Sequence, residues 1–193
     1  MTRPANPDLK IKIKSLAVRD IVKKGCDSIS MRDIAQKAGI TPTTIYYYYK
    51  NKVDLFEEIK RDAMDSMDEY IISRISKSNS YEKKLDTIME AFMDWSLGNP
   101  ELARMVFDKL PNRIDNTLYS KSYYKTIEII EEGKKCGEFK VKDSELDVTV
   151  GTASMYGLAL ILISNAYHPK YKNRINEMKR RLIKMFITQI KNN

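Results

Sequence analysis

The side chains with most chemistry to offer lie between Arg32 and Lys52. Thr41, Thr43 and Thr44 are followed by four consecutive tyrosines, Tyr46, Tyr47, Tyr48 and Tyr49, and then by Lys50 and Lys52. Threonine hydroxyls can bond to base edges in a DNA groove, and their methyls pack on thymine methyls. Tyrosine hydroxyls, arginine and lysine suit phosphate oxygens, which fix register without carrying sequence information. Catalytic chemistry has no such concentration. The single histidine, His168, stands beside Pro169 with no evident nucleophile or metal partner, and no phosphate-cradling glycine loop occurs. The expectation is a DNA-binding protein that is not an enzyme and needs no metal or cofactor.

Short helices must present these groups. Ser30 is a suitable cap for a first helix, with Ile34 and Ala35 inward and Arg32 outward. Gly39 tolerates the left-handed conformation that ends a helix and begins a sharp turn. Ile40 then fills the angle, Thr41 caps a second helix, and Pro42 takes its first position, where a missing amide costs nothing. That helix is expected over 42–49, and Asn51 caps a third from Lys52. At about 100° per residue, placing Ile45 inward puts Tyr49 on the same face and Thr43, Thr44 and Tyr47 on the opposite one. Tyr46 and Tyr48 flank it, nearer to phosphates. One helix face cannot bury four consecutive tyrosines, so at least two are expected to be exposed.

These residues resemble the DNA-binding domain of the TetR family of prokaryotic transcriptional regulators. The resemblance runs over about residues 10–56, through Ile13, Ala17 and Gly25, then Ile34-Ala35, Ala38-Gly39-Ile40, Thr44-Ile45-Tyr46, Tyr48-Tyr49, Lys52 and Leu55. Asp20 departs from it, where the family usually carries an apolar residue; a local variation in helix packing is expected there. The resemblance implies base contacts from Arg32, Thr43 and Thr44 and backbone contacts from Tyr46, Tyr47, Tyr48 and Lys52. Thr41 completes the expected DNA-contact set, and the helical wheel leaves Tyr47 free to touch bases.

Charge distribution agrees with a polyanion partner for the N-terminal part. Residues 1–52 hold 11 Lys/Arg against 4 Asp/Glu, residues 53–169 hold 15 against 21, and residues 170–193 hold 8 against 1. The basic C-terminus, including Lys179, Arg180 and Arg181, reads as an exposed helix face. Only 7 Gly and 6 Pro in 193 residues, beside many long helix formers, indicate an all-α protein. Cys26 and Cys136 form no CxxC pair, which suits a reducing cytoplasm and unpaired thiols. The segment from Met1 to Pro7 lacks an apolar targeting core and reads as a flexible arm.

Helical spacing predicts helices over about 9–24, from 52 into the 70s, and over 81–97, 101–110, 117–135, 144–167 and 171–190, with Ser144 capping the penultimate one. Residues 148–167 carry no charge, yet small and polar residues interrupt the run. A helix buried in a helical core or subunit interface fits better than a membrane span. With the TetR resemblance, this implies about nine helices. An N-terminal three-helix domain with a helix-turn-helix (1–52) would precede a larger C-terminal effector-binding and dimerisation domain (53–193).

The family's last two helices usually form a four-helix bundle across a twofold axis, and Gly151, Ser154 and Gly157 are small enough for close helix approach. A homodimer on a palindromic operator, released by a small-molecule effector, is the expected activity, with the helix after Lys52 as lever. The expected pocket residues are Phe92, Trp95, Met105, Phe107, Tyr123, Tyr124, Met155 and Tyr156, which favour an apolar or aromatic effector, while the acidic middle of the chain would also tolerate a cation. The alternative is an architectural DNA-binding protein without an effector.

Overall fold

Ile13, Ala17 and Ile21 recur every four residues, and only a helix places all three on one side. All three are fully buried in α1 (Pro7–Lys24). The computed structural model describes residues 6–107, 120–165 and 168–192. Among these, eight further α-helices follow and no strand occurs: α2 (Met31–Ala38), α3 (Pro42–Tyr48), α4 (Lys52–Ser73), α5 (Tyr81–Gly98), α6 (Pro100–Phe107), α7 (Lys121–Lys135), α8 (Ser144–Ile163) and α9 (Ile175–Asn192). The fold is all-α, with an N-terminal helix-turn-helix. The predicted end of α6 and start of α7 fall partly in 108–119, outside the described residues.

Two apolar clusters organise the chain. The first joins Ile13, Ala17 and Ile21 of α1 to Ile34 and Ala35 of α2, Ile45 of α3, and Leu55 and Ile59 of α4. The second begins at Ala63 of α4 and continues through α5, α7, α8 and α9. A single unbroken α4 therefore serves both cores, and the changeover falls between Ile59 and Ala63. Ion pairs fasten its first half to α1. Lys10 Nζ lies 2.7 Å from Glu58, and Lys14 Nζ lies 3.0 Å from Glu58 and 2.6 Å from Asp62. Helix α6 also touches both cores through Leu102.

Several local expectations are corrected. Helix α1 starts two residues early, because Asn6 caps it through Oδ1 and Pro7 takes the first turn. Ser30 occupies the cap position of α2, but its side chain makes no capping bond; burial of Met31, Ile34, Ala35 and Ala38 holds this short helix instead. Asp143, not Ser144, caps α8, accepting from the Leu146 amide at 3.0 Å, while the Ser144 hydroxyl turns to Glu131. The predicted last helix is a 3-10 segment, Pro169–Arg174, running into α9. His168 is exposed and accepts the Lys170 amide on Nδ1.

Gly151 is also reassigned. It is buried, and a Cβ there would stand 2.6 Å from the Phe186 ring of α9, so it permits close packing within the protomer. Ser154 and Gly157 lie on the exposed side of α8.

Candidate functional site

The turn between α2 and α3 is closed by backbone geometry that only a few residues allow. Gly39 adopts φ 74°, the Ile40 amide donates to the Ala35 carbonyl at 3.0 Å, and the Gly39 amide donates to Gln36 at 3.1 Å. The chain then leaves extended through Thr41, whose Oγ1 accepts the Thr44 amide at 3.2 Å and so starts α3. Pro42 at the first position completes this start.

Helix α3 has two unlike sides. Ile45 is fully buried and Tyr49 is 3% exposed, both in the first core. Tyr46 is 48% and Tyr47 55% exposed, with Thr43, Thr41 and Arg32 also open to solvent. Thr44 is half-buried, its hydroxyl 2.8 Å from that of Thr41. Tyr48 is half-buried, meets the Tyr47 ring edge-on at 5.5 Å, and accepts the Asn6 amide on its hydroxyl at 3.0 Å. Asn6, Leu9, Thr41, Thr43, Thr44, Tyr47 and Tyr48 together line a surface depression of about 570 Å³. Lys52 stands apart, half-buried, with Nζ 5.0 Å above the Phe56 ring and 3.5 Å from the Asp27 carbonyl.

Asp20, the departure noted in α1, is 8% exposed and pairs with Lys37 in the last turn of α2. The Lys37 bond holds its carboxyl below the usual aspartate range, against the opposing effect of burial. The pair ties α1 to α2 without involving α3.

In the second core, a cavity of about 70 Å³ lies between α4, α5, α7, α8 and α9. Met67 and Ile71 of α4, Met89 and Phe92 of α5, Met155 and Tyr156 of α8 and Phe186 of α9 supply most of its apolar wall. Ser120, Ser122, Tyr123 and Thr126 approach it from the start of α7. Of the eight expected pocket residues, Phe92, Tyr123, Met155 and Tyr156 line this space. Trp95 is buried elsewhere in the second core, Met105 packs on the first core, and Tyr124 is 56% exposed. Phe107 stands behind the wall, its ring 4.5 Å from Tyr156 and 5.8 Å from Phe92. Burial pushes the Tyr156 hydroxyl pKa up to about 12.

Residues 13–59, from α1 into α4, match the model for bacterial regulatory proteins of the tetR family. The chain belongs to the TetR family. This TetR-family chain is a DNA-binding transcriptional regulator. It is 26% identical over 155 residues to the fatty acid metabolism regulator protein of Bacillus subtilis (strain 168), covering 76% of this chain and 77% of that one. Its fold matches a protein of unknown function from Rhodococcus sp. RHA1 with a TM-score of 0.80, at 14% identity and with both chains fully covered. It also matches the fatty acid degradation regulator FadR of Bacillus halodurans with a TM-score of 0.72, at 20% identity, over 96% of this chain and 97% of that one.

Within this TetR-family fold, Thr41, Thr43, Thr44, Tyr47 and Tyr48 come together around one depression, and Lys52 lies outside it. Asn6 was not anticipated there. The Asn-Pro pair that caps α1 was a readable signal for a helix start, although its bond to Tyr48, 42 residues away, was not.

Proposed function

We propose that this regulator is a repressor that binds a palindromic operator as a homodimer and leaves it when a small molecule occupies the cavity. In this reading, Arg32, Thr43, Thr44 and Tyr47 meet base edges, while Thr41, Tyr46, Tyr48 and Lys52 meet the phosphate backbone. The observation that carries it is the division of α3 into a sealed side, Ile45 and Tyr49, and an open side of hydroxyls beyond the Gly39 turn.

Helix α8 supports the dimer. It is long and apolar enough to cross a membrane, yet Leu146 is 60%, Val150 50% and Ile161 42% exposed on one side of it. A second copy packing α8 and α9 across a twofold axis would cover this face and set two heads about 34–36 Å apart. Helix α4 supports effector control: Leu55 and Ile59 belong to the head core, and Met67 and Ile71 line the cavity. A ligand that fits one arrangement of α4 better than the other shifts the head spacing by that difference in affinity. The functional division is an N-terminal DNA-binding part (1–52) followed by an effector-binding and dimerisation part (53–193). The protein acts in the cytoplasm, where its DNA partner is.

Selection of bound sites from random DNA, followed by footprinting, tests the proposal. The expected footprint is short and palindromic, and Thr44→Ala costs about 1–3 kcal/mol on that site while relaxing specificity. Coating in proportion to DNA length, or equal losses for Thr44→Ala on selected and random DNA, would reject base reading. Operator complexes that no small molecule dissociates would reject effector control.

A further inference from the structure

The chemistry of the cavity wall restricts what can occupy it; this inference rests on the effector reading above. Among the described residues that line it, every polar side chain is a hydroxyl, and none is Lys, Arg, His, Asp or Glu. A charged ligand entering there would shed its water without meeting an opposite charge. Asp68 lies close enough for its charge to act on Tyr156, but its carboxylate is already closed off by the Lys121 and Ser122 amides and the Ser122 hydroxyl. It therefore opposes an anion, and most of its acceptor capacity is already spent on the start of α7.

Most of the lining hydroxyls are engaged. Tyr123 shares a bond of 2.9 Å with Thr149, and Thr126 donates to the Ser122 carbonyl at 2.7 Å. Thr152 and Tyr156 differ, since neither hydroxyl has a hydrogen-bond partner among the described residues, and of the two only Tyr156 carries a ring, held against Phe92 at 5.2 Å and Phe107 at 4.5 Å. Like any tyrosine at physiological pH, Tyr156 is protonated and so available as a donor, and burial only raises its pKa further. A donor that lines the cavity without a protein acceptor is open to a ligand oxygen. Size restricts the ligand further. At about 70 Å³, the cavity is smaller than the roughly 150 Å³ that accommodates benzene in an apolar protein core. Flexible Met67, Met89 and Met155 must therefore yield to admit even one ring, which favours a compact ligand.

We propose that the cavity takes a compact, uncharged aromatic molecule bearing a hydroxyl or carbonyl oxygen, and that the Tyr156 hydroxyl donates to this oxygen. Phe92 and Phe186 supply the faces and edges on which the ring packs.

Four one-ring probes test this by titration calorimetry on the full chain without DNA: benzyl alcohol, toluene, benzylamine and benzoate. Benzyl alcohol is expected to bind at least about tenfold more tightly than benzylamine or benzoate, since neither charge finds compensation. Tyr156→Phe, which keeps the ring, is expected to weaken benzyl alcohol by about two- to tenfold and leave toluene unchanged. The ranking on the unaltered protein stands as a test even if Tyr156→Phe fails to fold. Tighter binding of benzoate or benzylamine, an equal loss for toluene in the variant, or no binding of benzyl alcohol would overturn the proposal. Operator release is measured separately. Binding through Tyr156 without release keeps this assignment and rejects effector control, whereas release without dependence on Tyr156 does the reverse.

Discussion

Asp68 of α4 receives the start of α7 at Ser122: its Oδ1 accepts the Ser122 amide at 3.1 Å and the Ser122 hydroxyl at 2.5 Å. Its other oxygen accepts the Lys121 amide at 2.8 Å. The carboxylate is 3% exposed, and it satisfies amides that a helix start leaves without partners. The two helices it joins both line the cavity, so the bond holds together two walls of one space. Asp68→Ala is expected to lower stability by about 1.5–3 kcal/mol, the cost of removing charged hydrogen bonds and stranding their donors. Asp68→Asn should cost less, because an amide oxygen still accepts. Urea unfolding measures both, and a loss under about 0.5 kcal/mol for alanine would show that water replaces the carboxylate freely.

Asp20 and Lys37 set a pH dependence in the head. The folded aspartate pKa is lowered, chiefly by the Lys37 bond. The pair therefore contributes its full stability above the ordinary aspartate value of 3.8 and loses it as pH falls through and below that value. Asp20→Asn is expected to flatten this part of the stability curve while costing no more than about 1 kcal/mol at pH 7, since Lys37 can return to water. Urea midpoints measured from pH 6 down to pH 2 check it; identical slopes in both proteins would remove Asp20 from the account.

What was legible in the sequence was local. The Gly39 turn, the Thr41-Pro42 start of α3, the Asn51 cap and the limits of α4 each follow from residues within a few positions of one another. The sealed and open sides of α3 followed from the helical wheel, because Ile45 has only one direction in which to escape water. What could not be read depends on distant partners. Asp68 meets α7 across 53 positions, and nothing near Asp68 announces it. Gly151 and Gly157 look alike in sequence, yet one faces Phe186 and the other faces outward. Spacing placed Trp95, Met105, Phe107 and Tyr124 on apolar or aromatic helix positions but could not say which of them border the cavity and which lie behind it or away from it.

Lys52 tests the backbone-contact assignment. Its ammonium leans on the Phe56 ring and the Asp27 carbonyl, a position from which it can swing out to a phosphate. Each phosphate neutralised releases condensed counterions, so Lys52→Ala is expected to weaken binding to all DNA and lower the salt slope by about one unit. Filter binding over a range of salt concentrations measures the slope. A slope equal to that of the unaltered protein would mean that Lys52 holds the head together and never reaches DNA.

Gly157 separates association from folding. A Cβ added there meets nothing within 4 Å in the protomer, and leaving glycine within a helix is favourable by up to about 1 kcal/mol. Gly157→Arg should therefore leave the protomer folded, with unchanged far-ultraviolet circular dichroism. If copies pair through the exposed face of α8, two guanidinium groups would enter the contact, and sedimentation should show monomers where the unaltered protein forms dimers. Gly151→Ala is the opposing control. Its Cβ would press on the Phe186 ring and cost about 1–3 kcal/mol of stability within each protomer. Dimers of Gly157→Arg as tight as those of the unaltered chain would move the contact off α8. The exposed row from Leu146 through Val150 to Ile161 would then need a different cover.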